Sequence, residues 1–151
     1  MTMSVLALLV ALAVVVFVTI KSDEIPDSIS AIAYIIPHWA FSVWIAAIGM
    51  MIMPDVIVTL PDNLQFIGFF SVVGLFFVAA SSYYRTEAAP LHYIGGIMCA
   101  VCATIVSALI SPLFLFVWPV YLMSMHMIAW RQWCFWAEIV VFLVLVIAIN
   151  I

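Results

Sequence analysis

Long apolar segments, separated by short polar or proline-containing breaks, account for almost the whole sequence. A helix needs about 20 mostly apolar residues to cross the hydrocarbon layer of a membrane. Only 7% of the residues are charged, whereas soluble domains carry roughly 25%. A water-facing surface cannot be built from so few charges, so the apolar side chains must face lipid. The sequence therefore predicts an all-α protein, a polytopic transmembrane helical bundle.

The segments divide the chain into six predicted spans that form a single transmembrane domain over residues 1–151. The breaks hold residues that begin or end helices, such as Pro26-Asp27-Ser28 and Pro54-Asp55 on either side of the second span and Ser111-Pro112 before the fifth. The segment 91–130 fits two full helices, or one helix and a re-entrant piece, and its length favours two. We place the spans near residues 4–20, 31–53, 64–82, 91–110, 112–130 and 132–151.

The positive charges indicate which way the bundle faces. The first apolar run lacks a preceding basic region, so we expect a retained span and not a cleaved signal peptide. Lys21, Arg85 and Arg131 fall in the first, third and fifth loops, which share one side of the membrane when spans alternate. The positive-inside rule makes that side cytoplasmic. We therefore expect both termini on the non-cytoplasmic side, in a bacterial cytoplasmic membrane more readily than in an organelle.

Small residues in the fourth span predict where helices pack. They recur at steps of three and four residues, which lets two helix backbones approach closely. Close backbone approach drives helix association in lipid, where no hydrophobic effect operates between helices. The fourth span is therefore predicted to be the central helix. The predicted packing residues are Gly95, Gly96, Ala100, Ala103 and Ser107.

Polar side chains near one membrane face form the predicted binding site. An ionisable group inside a span is costly to bury and is by default a candidate for function. Glu138 and His38 lie about six and seven residues into their predicted spans, and other polar residues approach from the same face. The sequence therefore predicts a polar pocket open to that face. Its candidate residues are His38, His92, His126, Glu138, Arg131, Asp27 and Ser30.

A structural interpretation competes with this pocket. Glu138 could pair with Arg131, and His38 could bond a carbonyl that Pro37 leaves without a donor.

No two histidines are three or four residues apart, so we predict neither a metal site nor a cofactor. The Cys99-Ala-Val-Cys102 pair lies in mid-span without a nearby cation, which favours packing over redox chemistry.

Two short motifs carry a resemblance to a known group of six-span membrane proteins. They are Pro26-Asp27-Ser28-Ile29-Ser30 before the second span and Leu91-His92-Tyr93 at the start of the fourth. The chain resembles the GPI-anchor lipid-remodelling and autophagy-modulator proteins and related bacterial six-span families. Those proteins also have a Pro/Ser-containing segment after the first span and a His near the start of the fourth. The resemblance implies a six-span fold but no particular mechanism.

The expected function is binding of a membrane lipid, or of another membrane protein, through the polar pocket. A lipid-modifying hydrolase that uses the His and Glu residues is one alternative, and an accessory or immunity-type membrane protein is another. Enzymatic activity is not the leading expectation, because no catalytic motif occurs. The net charge of -4 is small and scattered, so we expect no nucleic-acid partner.

Overall fold

A computed structural model describes residues 2–81, 89–128 and 132–151. Within these ranges the chain contains six α-helices and no β-strand, which confirms the predicted all-α class. Three short 3₁₀ helices lie between them, at Ser30–Tyr34, Asp62–Leu64 and Pro112–Phe116. The α-helices are α1 (Met3–Ser22), α2 (His38–Thr59), α3 (Gln65–Ser81), α4 (Ala89–Ile110), α5 (Val117–Ile128) and α6 (Trp133–Ala148).

Four helical segments in the described part of the chain are long and apolar enough to cross a membrane. They are α1, α2, α4 and the segment Asp62–Ser81, in which a 3₁₀ turn leads directly into α3. The remaining two apolar helical segments, Pro112–Met125 and Trp133–Ala148, are shorter.

The second predicted span begins and ends later than expected. α2 starts at His38 and not near residue 31, because a residue before proline disfavours the α conformation and Pro37 precedes the helix. Residues Ser30–Tyr34 form a separate 3₁₀ turn instead. α2 then continues through Pro54 to Thr59, although a break was predicted at Pro54. The proline removes one backbone donor and is tolerated within this packed apolar helix.

The described residues of the segment 91–130 form two helical elements, of which α4 is long enough to cross a membrane and the second is shorter. α4 ends at Ile110, and Ser111 adopts the extended backbone typical of a helix N-cap. Pro112 occupies the first turn of the following 3₁₀ helix, where its missing N–H costs nothing. The second element is shorter than expected, because its first five residues are 3₁₀ and the α-helix begins only at Val117.

The helices pack in an order that closes on itself. α1 contacts α2, α2 contacts α3, α3 contacts α4, and α6 packs against both α4 and α1. The 3₁₀ turn that precedes α5 packs on α4. Large side chains that are completely buried between these helices include Phe41, Ile52 and Leu145.

The backbones of α3 and α4 approach each other closely at Gly74 and Gly95. A Cβ atom added to Gly74 would lie 2.5 Å from the carbonyl oxygen of Gly95 and 2.6 Å from the amide nitrogen of Cys99. Gly95, Ala103 and Ser107 are buried on the α4 side, as predicted. The prediction was wrong for Gly96, since a Cβ there would meet no atom within 4 Å. Ala100 is partly exposed.

The two ends of the chain meet at one end of the bundle. The Thr2 hydroxyl donates to Oδ1 of Asn150 at 2.6 Å, and Nδ2 of Asn150 donates to the Ser4 hydroxyl at 2.9 Å. Oδ2 of Asp55 accepts the backbone N–H of Ser4 at 2.8 Å. A carboxylate at the start of a helix also interacts favourably with the helix dipole. These bonds join the start of α1, the end of α6 and the last turns of α2.

Candidate functional site

The segment between α1 and α2 (residues 23–37, hereafter the α1–α2 connection) is partly buried among the helices. α1 ends where Asp23 adopts the left-handed conformation, with φ 57°. Farther along, Ile32 is 0% exposed and Ala33 6% exposed, so the connection contributes to the core. Because its backbone is largely irregular, its polar groups need partners that a helix would supply by itself.

The start of α6 supplies several of these partners. The backbone N–H of Phe135 donates to the carbonyl of Asp27 at 3.2 Å. Nε2 of Gln132 donates to the carbonyl of Ile25 at 3.3 Å. In the other direction, the backbone N–H of Ile29 donates to a carboxylate oxygen of Glu138 at 2.5 Å. The α1–α2 connection is therefore attached to α6 over its first half.

Both carboxylate oxygens of Glu138 have partners. Oε2 accepts the Ile29 amide, and Oε1 accepts the thiol of Cys134, one helical turn earlier, at a sulfur–oxygen distance of 3.7 Å. The side chain points to the α1–α2 connection, where an acceptor is needed. The pairing of Glu138 with Arg131 stays a prediction, because Arg131 lies outside the described residues.

His92, on the first turns of α4, bridges two serine hydroxyls. Its Nε2 lies 2.9 Å from Oγ of Ser30 in the α1–α2 connection, and its Nδ1 lies 2.9 Å from Oγ of Ser81 at the end of α3. Ser81 also donates to the carbonyl of Val78 at 3.0 Å. His92 thus joins α4, α3 and the α1–α2 connection. Ser30, which it contacts, is the residue after Ile29, whose backbone N–H donates to Glu138.

The other predicted histidines are His38 and His126, and the structure describes the side chain of His38 alone. His38 is the first residue of α2, and not about seven residues inside a helix as predicted. Its Nδ1 is buried and has no hydrogen-bond partner among the described residues, so this atom does not bond a carbonyl freed by Pro37. His126 lies on α5, but its side chain is outside the described part of the structure.

A cleft of about 300 Å³ opens beside the α1–α2 connection. Asp27, one of the predicted site residues, lines this cleft. Ser30 and Glu138, which were also predicted, do not line it. The residues that form this connection cleft are Ser22, Glu24, Ile25, Pro26, Asp27, Ile35 and Gln132. In the ranges that the structure describes, no group of three or more His, Cys, Asp or Glu residues is placed to hold a metal ion.

Sequence reasoning missed three residues of this region. Cys134 carried a usable signal, because it lies four residues before Glu138 and therefore on the same helix face. Ser81 and Gln132 carried none. Their partners belong to other helices or to the α1–α2 connection, and only the packing of those elements brings them together.

The two motifs that carried the family resemblance meet in space, since Ser30 belongs to the first motif, His92 to the second, and their side chains are hydrogen bonded. Comparison with protein-family models, curated proteins and solved structures gave no match for this chain. The resemblance to the six-span lipid-remodelling group therefore stays a prediction.

Proposed function

We propose that this chain is an integral membrane protein that crosses the bilayer six times and binds the headgroup of a membrane lipid in the connection cleft. The observation that carries the proposal is the cleft itself, about 300 Å³ beside the end of α1 and the start of α6 and lined by both polar and apolar side chains. Ligand sites typically begin at about this volume. The volume suits a headgroup and not a whole phospholipid.

The lengths of the two shorter segments support six crossings. The 3₁₀ turn of 5 residues and the 12 residues of α5 rise about 28 Å together if they are collinear. α6 has 16 residues, which rise about 24 Å. Both values approach the hydrocarbon thickness of about 30 Å. The hydrogen bond between Thr2 and Asn150 supports an even number of crossings, because it holds both chain ends at one end of the bundle.

The surroundings of the cleft support a lipid as its ligand. Ile20, in the last turn of α1, is 75% exposed, and Phe17 is 60% exposed. A lipid whose headgroup lies in the cleft could place its acyl chains along this apolar face. Glu24 and Asp27 line the cleft, so we expect zwitterionic headgroups to be preferred over anionic ones, which like charges would repel.

The first test measures thermal stability in nanodiscs of different headgroup composition. A bound lipid at 100 times its dissociation constant stabilises the folded state by about 2.7 kcal/mol. For a chain of this size that is a rise in Tm of roughly 5–10 °C. We expect Tm to be higher by this amount in phosphatidylethanolamine nanodiscs than in phosphatidylglycerol nanodiscs. The double variant Glu24→Gln/Asp27→Asn should lose this difference in Tm. Asp62→Asn, which changes an exposed acid away from the cleft, is the matched control. Equal lipid preference in the double variant and the control would contradict the proposal.

Topology is tested by reporter fusions at residues 1, 61, 87 and 151. We expect cytoplasmic signals only at residue 87, because the third loop holds Arg85 and lies on the same side as Lys21 and Arg131. A cytoplasmic signal at both ends would reverse the proposed orientation. Signals of opposite kind at the two ends would rule out six crossings.

The two alternative functions are less well supported. A hydrolase that uses Glu138 as its catalytic group needs a free carboxylate, and both oxygens of Glu138 are already engaged. An accessory protein that acts through a lipid-facing surface needs no cleft, whereas this chain has one.

A further inference from the structure

The hydrogen bonds around His92 allow two orders of protons, because Ser81 has one hydroxyl proton and two acceptors within reach, the carbonyl of Val78 and Nδ1 of His92. In one of these orders Ser81 donates to the carbonyl of Val78. Oγ of Ser81 then accepts from His92, and the proton of the neutral imidazole lies on Nδ1. Nε2 is then unprotonated and accepts the hydroxyl proton of Ser30.

This order of donors and acceptors is the one that activates a serine nucleophile. An imidazole nitrogen that accepts the serine proton acts as general base, and a group bonded to the other ring nitrogen fixes the tautomer. Here Ser81 is hydrogen bonded to Nδ1, the ring nitrogen that a carboxylate orients in the Ser-His-Asp triad. A neutral hydroxyl stabilises the imidazolium less than a carboxylate does, so the reaction should be slow.

Exposed tyrosines lie close in sequence to both residues of this pair. It is half-buried at the first position of its 3₁₀ turn. In the same turn, Tyr34 is 67% exposed, and Tyr93, next to His92, is 69% exposed. The rings of His92 and Tyr93 meet edge to face with centroids 6.2 Å apart. An ester substrate would have to approach Ser30 along this partly exposed surface.

We propose that Ser30 is the nucleophile, and His92 the general base, of an acyl-ester cleavage whose substrate is a membrane lipid. Oγ of Ser30 bonds to the ester carbonyl carbon while its proton passes to Nε2 of His92. The carbon–oxygen bond to the alcohol breaks, and the alcohol leaves with that proton. Water then hydrolyses the acyl-serine with His92 again as base, which releases the carboxylic acid and restores Ser30. This activity goes beyond lipid binding in the connection cleft and does not depend on it, because Ser30 does not line the cleft.

A purely structural role makes a different prediction. If His92 only ties α4 to the α1–α2 connection, Ser30 has the reactivity of an ordinary hydroxyl and forms no covalent adduct. The distinction therefore needs a covalent readout in addition to a stability measurement.

The test is labelling of the purified full-length protein in detergent with an alkyl fluorophosphonate. The probe phosphorylates Oγ as fluoride leaves, and peptide mass spectrometry locates the adduct. We expect labelling at Ser30, none in Ser30→Ala, and labelling about 10²- to 10⁴-fold slower in His92→Gln, which lacks the base. Ser124→Ala, on α5, is the control that should label like the wild type.

Ser81→Ala keeps the test decisive if His92→Gln does not fold. It removes the orienting acceptor of Nδ1 by a small change, and we expect labelling at Ser30 to slow by about tenfold or more. A folded wild-type protein that carries no adduct at Ser30 overturns the proposal, as does unchanged labelling in a folded His92→Gln variant. The lipid dependence of Tm in Ser30→Ala reports separately on the cleft and should match the wild type.

Discussion

Replacing Gly74 with alanine is expected to lower the free energy of unfolding by about 3 kcal/mol or more, although it adds a single methyl group. The new Cβ would lie 2.5 Å from the carbonyl oxygen of Gly95 and 2.9 Å from Cα of Cys99. These are backbone atoms of α4, which cannot move aside as a side chain can. Relief requires α3 and α4 to separate along their whole contact. Packing is the main force that holds transmembrane helices together, so the separation is costly.

Gly96→Ala is the matched control, one residue along the same helix from Gly95. Its Cβ meets no atom within 4 Å, and alanine favours a helix over glycine by up to about 1 kcal/mol. We expect unchanged or slightly higher stability. Denaturant unfolding in detergent micelles, followed by circular dichroism, measures both variants. Similar unfolding free energies for the two would mean that α3 and α4 do not approach at Gly74.

The contrast between Gly95 and Gly96 shows how far sequence reasoning reaches. The small residues of α4 correctly indicated a helix contact, but adjacent residues on a helix point about 100° apart. Which of the two glycines faces the contact depends on the position of the partner helix. Here Gly74 of α3 approaches Gly95 and Cys99 of α4. The glycines of α3 were not recognised as part of the contact.

The α1–α2 connection shows why some helix ends could not be predicted. Residues 29–36 are almost all apolar and read as the start of a span. In the structure Ser30–Tyr34 form a 3₁₀ turn, and its start is held by Glu138 from α6, which bonds to Ile29, and by His92 from α4, which bonds to Ser30. Hydrogen bonds from helices distant in sequence replace the backbone hydrogen bonds of an α-helix here. The sequence around residues 29–36 contains no pattern that predicts these bonds. The cost of burying an ionisable group in a membrane had already marked Glu138 and His92 as candidates.

Glu138→Leu is expected to destabilise the protein by about 3 kcal/mol. The backbone N–H of Ile29 donates to the Glu138 carboxylate at 2.5 Å, and a hydrogen bond to a charged group contributes about 1.5–3 kcal/mol. Leucine offers no acceptor, so a partly buried donor is left without a partner and the α1–α2 connection loses one attachment to α6. Hydrogen exchange at the Ile29 amide should become faster in this variant, and Tm should fall by roughly 6–12 °C.

Glu138→Gln separates the acceptor from the charge. The amide oxygen of glutamine can still accept the Ile29 N–H, since the two side chains have nearly the same length and shape. If hydrogen-bond acceptance is what Glu138 contributes, Tm and the exchange rate of Ile29 should stay close to the wild type. If the negative charge is what stabilises the α1–α2 connection, glutamine should be nearly as damaging as leucine. A leucine variant as stable as the wild type, with slow exchange at Ile29, would show that the α1–α2 connection does not depend on this bond.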